Sequence, residues 1–171
     1  RANANRAHRR EHRVETASGD ALEVIFQVSN DGVGFRYRFP EERKGAGGAS
    51  SEAGGRNVVE EISSFKFSES ARAWLQPMSV AKTGWSRTNP SYEEYYQKDI
   101  PVGTPSTLGA GWVYPGLFRT GDTWVVISET GLGRGYCGTR LRSESPKGEY
   151  SVGFPDEREG RGDGPVKPAS S

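Results

Sequence analysis

At 171 residues the chain is long enough for one domain with a hydrophobic core and too short for two of ordinary size. Its 23 basic and 22 acidic residues leave a formal charge of +1, so no whole-protein field favours nucleic acid or an anionic membrane, and neither is expected as a partner. A hydrophobic share of 33% beside 23 glycines and 10 prolines points to a loop-rich β protein or a chain with disordered ends, and both are expected here.

The first residues, RANANRAHRREHR, form a polar N-terminal stretch over 1–13 with no apolar region behind the basic start, so this segment does not read as a signal peptide. No apolar run has the length of a bilayer span. The first clear alternation is ALEVIFQVSNDGVGFRYRFP: Leu22, Val24, Phe26 and Val28 share one face, and an Asn30-Asp31-Gly32 turn leads to Val33, Phe35, Tyr37 and Phe39. That is a β-hairpin pattern, with a positive φ expected at Gly32. EERKGAGGASSEAGGRN then reads as a long loop, VVEEISSFKFSES resumes strand character, and Trp74 and Leu75 precede Pro77 in a short irregular segment. WSRTNPSYEEYYQ reads as an aromatic loop in which Trp85, Tyr92, Tyr95 and Tyr96 expose their rings, with Glu93 among them, for sugar stacking or a domain interface.

The second half repeats short strand patterns at 112–118, 123–128, 135–142 and 149–154, separated by Gly, Pro, Asp and Ser clusters, and no segment sustains a helical repeat. A sandwich is the expected architecture, covering 14–155. The polar text after Pro155 reads as a linker over 156–171 toward a further domain, so the chain is expected to be a piece of a longer polypeptide.

The densest stretch is DTWVVISETGLGRGYCGTRL, where a β run over 124–127 that reads as buried ends in a carboxylate, Glu129. Three readings compete for it: a solvated strand end, a phosphate-binding turn, and a metal or sugar ligand. Gly133, Gly135 and Gly138 formally match G-x-G-x-x-G, yet TRLRSESPKG cannot supply a following helix before Pro146, which argues against a pyrophosphate site. Cys137, the single cysteine, has no partner for a disulfide and reads as a small core residue. With only His8 and His12 available, a Cys/His zinc site is not credible. Arg161-Gly162-Asp163 sits in a charged glycine-rich tail and reads as solvated linker. The adjacent pairs Glu41-Glu42, Glu60-Glu61 and Glu93-Glu94 cannot work as acid/base partners on extended chain, where neighbours face opposite sides. One carboxylate such as Glu129 gives a hard cation at most two of the six to eight oxygens that calcium takes.

In sequence order NDGVGFRYRFP, YEEYY, WVVISETGLGRGYCGTRL and YSVGFP resemble the N-terminal domain of glycoside hydrolase family 97, a family of α-glucosidases and α-galactosidases, over most of 22–155. The resemblance implies a mainly β, β-super-sandwich (galactose-mutarotase-like) fold, incomplete here at its N-terminus. It implies a non-catalytic, carbohydrate-contacting domain that packs on a (β/α)8 barrel of the same polypeptide, with the catalytic carboxylates in that barrel and none in this chain. By motif position it also implies that Glu129 is a calcium ligand in the intact enzyme, with no metal expected in the isolated chain. Secreted or periplasmic localisation follows from the same resemblance. The residues after Glu129 depart from the continuation associated with the family's calcium-dependent glucosidases. A stand-alone sugar-binding or protein-interaction module is the alternative.

Overall fold

The computed structural model describes residues 6–40, 58–79, 95–131 and 137–155. They are mainly β, and every strand pairing is antiparallel. The chain divides into two compact units, the first within Arg1–Arg56 and the second within Asn57–Ala169. The tail at 156–171 and the segment 80–94 lie outside the described residues.

The first unit is a three-stranded meander, β1 (His8–Glu15), β2 (Ala21–Val28) and β3 (Val33–Arg38). β2 and β3 are the expected hairpin, since alternation along both places Phe26 opposite Phe35 and Val24 opposite Tyr37. β1 begins within the stretch over 1–13 that the sequence marks only as polar and runs two residues past it. It lacks an apolar alternation and is recruited by an eight-residue register with β2, from His8 opposite Val28 to Glu15 opposite Ala21. Of its charges, Glu11 is met across the sheet by Arg38 at 3.0 Å, which also pairs with Glu23 of β2, while Arg9 pairs with Glu11 and Arg13 with Glu15 along the strand.

The β2–β3 turn differs from the sequence expectation. Gly32 is not among the positive-φ glycines, and a Cβ there would meet nothing within 4 Å. The loop at residues 29–32 is held instead by Ser29, whose N–H donates to the Gly32 carbonyl at 2.9 Å while its hydroxyl donates to Asp31 Oδ1 at 2.6 Å. A side chain therefore supplies the closure that a left-handed glycine was expected to supply.

The second unit is a seven-stranded sheet. β4 (Ser64–Lys66), β10 (Glu149–Gly153), β9 (Arg140–Leu141), β7 (Gly109–Thr120), β5 (Arg72–Ser79) and β6 (Gln97–Pro101) follow in that order, and β8 (Thr123–Ile127) pairs with the end of β7. β5 occupies the place where the sequence suggests an irregular segment. Pro77 lacks a donor, and the strand accommodates it with register shifts between Trp74 and Gln76 and between Pro77 and Ser79. Thr120 and Thr123 close the β7–β8 hairpin around a two-residue turn with Gly121 at φ 57°, the position where a II′ turn needs glycine.

The core of this unit is Ala73, Leu75, Trp112, Phe118, Ile127, Leu141 and Tyr150. Phe67 stacks on Phe118 at 4.0 Å, and Phe118 meets Tyr150 edge-on at 5.0 Å. The buried Tyr150 hydroxyl accepts from the Gly103 N–H at 3.0 Å, so its polar atom is paired inside an apolar cluster. β7 and β9 approach so closely that a Cβ on Gly111, at φ 104°, would lie 2.2 Å from the Leu141 carbonyl oxygen.

Candidate functional site

β8 leads to the carboxylate that the sequence singles out. Of its run, Ile127 alone is buried; Trp124, Val125 and Val126 are exposed, correcting the sequence reading of 124–127 as a buried strand. Ile127 enters the core, the chain continues through Ser128, and Glu129 is half-buried. Gly131 at φ 77° then turns the backbone.

The other side of the site comes from the segment entering β9. Thr139 meets Glu129 twice: its backbone N–H donates to Oε1 at 2.7 Å and its hydroxyl donates to Oε2 at 2.7 Å. The carboxylate thus clamps the end of β8 to the entry of β9. Gly138 leaves room beside it, since a Cβ there would stand 3.6 Å from Oε1, an ordinary contact. The solvated strand end does not describe this residue.

Burial pushes the Glu129 carboxyl above its ordinary value. The two Thr139 hydrogen bonds pull the other way because they favour the ionised form, and the negative charge of Glu61 adds to the rise. The Cys137 thiol is also pushed up, first by burial and then by the Glu129 charge. A thiol so placed is an inert core group, as the sequence reading holds.

Whether these residues suit a calcium ion turns on what Glu129 has left to offer. A carboxylate oxygen has two lone pairs, and Thr139 occupies one direction on each oxygen, so among the described residues each keeps an accepting position. Glu129 fits the part of one pre-oriented ligand. Among the described residues no group of three or more His, Cys, Asp or Glu side chains could hold a metal, so the remaining oxygens of a shell are not gathered here.

The other candidates separate. Tyr95 and Tyr96 precede β6 and are exposed, and the Tyr96 hydroxyl lies 3.4 Å from the Pro115 carbonyl. Trp85, Tyr92 and Glu93 lie outside the described residues, as do Glu41 and Glu42. Glu60 is engaged by Arg142 at 2.7 Å. Sequence reasoning missed Thr139, whose partnership spans the glycine-rich segment and has no local signal. It also missed the contact of Trp74 with Trp124, with ring centroids 4.9 Å apart.

A family model described as glycosyl-hydrolase 97 N-terminal matches residues 1–166. The chain belongs to this family. Among curated relatives of this glycosyl-hydrolase 97 N-terminal domain, a probable retaining alpha-galactosidase of Streptomyces bingchenggensis (strain BCW-1) is 29% identical over 141 residues, covering 82% of this chain and 18% of the relative. Among solved structures, the crystal structure of a beta-arabinopyranosidase superposes with a TM-score of 0.80 at 42% identity, over 95% of this chain and 25% of that one. The domain therefore spans a quarter or less of the length of these two relatives.

Proposed function

We propose that this domain is the non-catalytic N-terminal part of a longer glycoside hydrolase, packing on a catalytic barrel of the same polypeptide and lending Glu129 to a calcium ion there. The observation that carries the reading is the Thr139 clamp: it holds a carboxylate at a strand end in fixed orientation, with one accepting position on each oxygen not taken by any described residue. The same clamp suits a residue that acts on a neighbouring domain's site. Several other carboxylates are committed to the fold, Glu23 to Arg38, Asp99 to Arg72 and Glu60 to Arg142, which supports the non-catalytic part of the proposal. Bound calcium would supply a fixed positive charge beside the substrate. The contribution of this chain is to position one of its ligands.

The substrate of the whole polypeptide, on this proposal, is an α-galactoside or a β-arabinopyranoside, the two classes named by the relatives. In the L series a β-arabinopyranoside has the ring configuration of an α-D-galactoside without the exocyclic carbon, so one site accommodates both. Secretion or residence in the periplasm belongs to the same proposal. The test compares this chain with the complete polypeptide on nitrophenyl α-galactoside, β-L-arabinopyranoside and α-glucoside. Hydrolysis of the first two by the complete polypeptide alone is expected. Turnover by the isolated chain would overturn the non-catalytic role, and preference for the glucoside would overturn the substrate class.

A further inference from the structure

β5, β7 and β8 are in register as Arg72, Arg119 and Trp124 in one row and Trp74, Leu117 and Val126 in the next. Residues directly opposite one another on antiparallel strands share a face, as do residues two apart on one strand. These six therefore form one patch, on the side of the sheet opposite Ala73 and Phe118. Within it the Trp74 and Trp124 rings lie 4.9 Å apart and inclined at 43°, and the Arg119 guanidinium carbon stands 5.5 Å over the Trp124 ring. Trp124 is 52% exposed and Val126 64%, while Trp74 and Leu117 are half-buried. Arg72 is neutralised by Asp99 at 3.0 Å. Arg119 has no ion pair among the described residues; its contact is the indole.

Size and chemistry together select an occupant. Two indoles and two aliphatic side chains at these exposures offer on the order of 200–300 Å² of apolar surface, well short of the about 800 Å² that each partner contributes to a stable protein interface. The patch suits a small ligand. Indole faces take the C–H side of a pyranose ring, and a guanidinium that rests on an indole without an ion pair among the described residues presents N–H donors to hydroxyl oxygens. A galactopyranose or L-arabinopyranose ring has its axial hydroxyl at carbon 4 on one side, which leaves an unbroken run of C–H groups on the other.

We propose that Trp74, Trp124 and Arg119 form a carbohydrate-binding platform that holds a galactosyl or arabinopyranosyl residue of a glycan, its C–H face on the indoles and its hydroxyls accepting from Arg119. The choice of sugar rests on the substrate class proposed above. The platform is built from side chains of β5, β7 and β8 and does not include Glu129. Three groups of one sheet face build it.

The test is titration of the chain with an α-galactosyl oligosaccharide and with methyl β-L-arabinopyranoside, followed by indole fluorescence, with maltotriose as comparison. Saturable quenching is expected with the first two. Trp124→Ala and Arg119→Ala should each weaken it at least tenfold with unchanged circular-dichroism melting, and Trp124→Tyr should retain most of it. The platform is overturned by a folded chain without saturable binding, by variants that bind like the parent, or by a Trp124→Ala variant that turns a sedimenting dimer into a monomer, which would assign the patch to a second copy. Equal binding of maltotriose overturns the choice of sugar. If the complete polypeptide hydrolyses neither proposed substrate while the chain still binds galactosyl glycans through Trp124, the platform stands and the substrate reading of the enzyme falls.

Discussion

Replacing Glu129 by alanine removes both acceptors of Thr139 and leaves a part-buried backbone N–H to find water or go unpaired. Hydrogen bonds to a charged group are worth about 1.5–3 kcal/mol each when well shielded. Glu129 is half-exposed, so solvent screening reduces that figure, and about 1–2 kcal/mol of destabilisation is expected for the pair together. Glu129→Gln should cost less than about 1 kcal/mol, because its carbonyl still accepts from the Thr139 N–H and its amide can donate to a rotated Thr139 hydroxyl. Urea denaturation of both variants at neutral pH measures the difference. A parent and Glu129→Ala variant with the same midpoint and slope would refute the clamp. The pH dependence supplies a second check with a definite sign. The folded chain holds the Glu129 proton more tightly than the unfolded chain, so this group's contribution to stability falls as pH rises from its ordinary 4.5 through the raised folded value. In Glu129→Gln that fall is absent, so the variant should gain on the parent as pH rises through the window.

Other residues carry simpler expectations. Gly111→Ala should destabilise by more than about 2 kcal/mol, since it meets both a left-handed backbone and the Leu141 carbonyl, and thermal melting reads this directly. Tyr150→Phe removes the acceptor of the Gly103 N–H and should cost about 1–3 kcal/mol in denaturant unfolding. In the first hairpin, Ser29→Ala should destabilise more than Gly32→Val, by about 1 kcal/mol; the reverse order would restore the left-handed glycine expected from sequence.

The sequence showed what is local and periodic. Alternation over β2 and β3 located a hairpin, and turn residues delimited β7, β8 and β10. It failed where structure depends on partners far along the chain. β1 has no apolar stripe and forms by pairing with β2. β5 contains Pro77, normally a mark against an inner strand, and is accommodated by shifts in register with β7 that no local pattern encodes. Within β8, apolar composition suggested burial on both faces, whereas β7 covers an edge and leaves Trp124 and Val126 facing outward. Glu129 was visible as a charge at the end of a strand. Its partner was not, because the pairing with Thr139 crosses a glycine-rich segment whose return path is set by β9.

The raised Glu129 carboxyl connects the fold to the proposed calcium role. Burial penalises its charge, the Glu61 charge adds to this, and Thr139 offsets it only in part, so the folded chain favours the protonated carboxyl more than the unfolded chain does. A cation placed on the accepting positions that no described residue takes would reverse the balance, since positive charge favours the ionised form. Calcium binding in the complete polypeptide should then release a proton near the folded carboxyl value and weaken as pH falls below it. Glu129→Gln should bind calcium less tightly at neutral pH and lose that group's share of the pH dependence. Calorimetry in two buffers of different ionisation enthalpy measures the released proton. An unchanged proton count and affinity in Glu129→Gln would leave Glu129 with the structural clamp as its role.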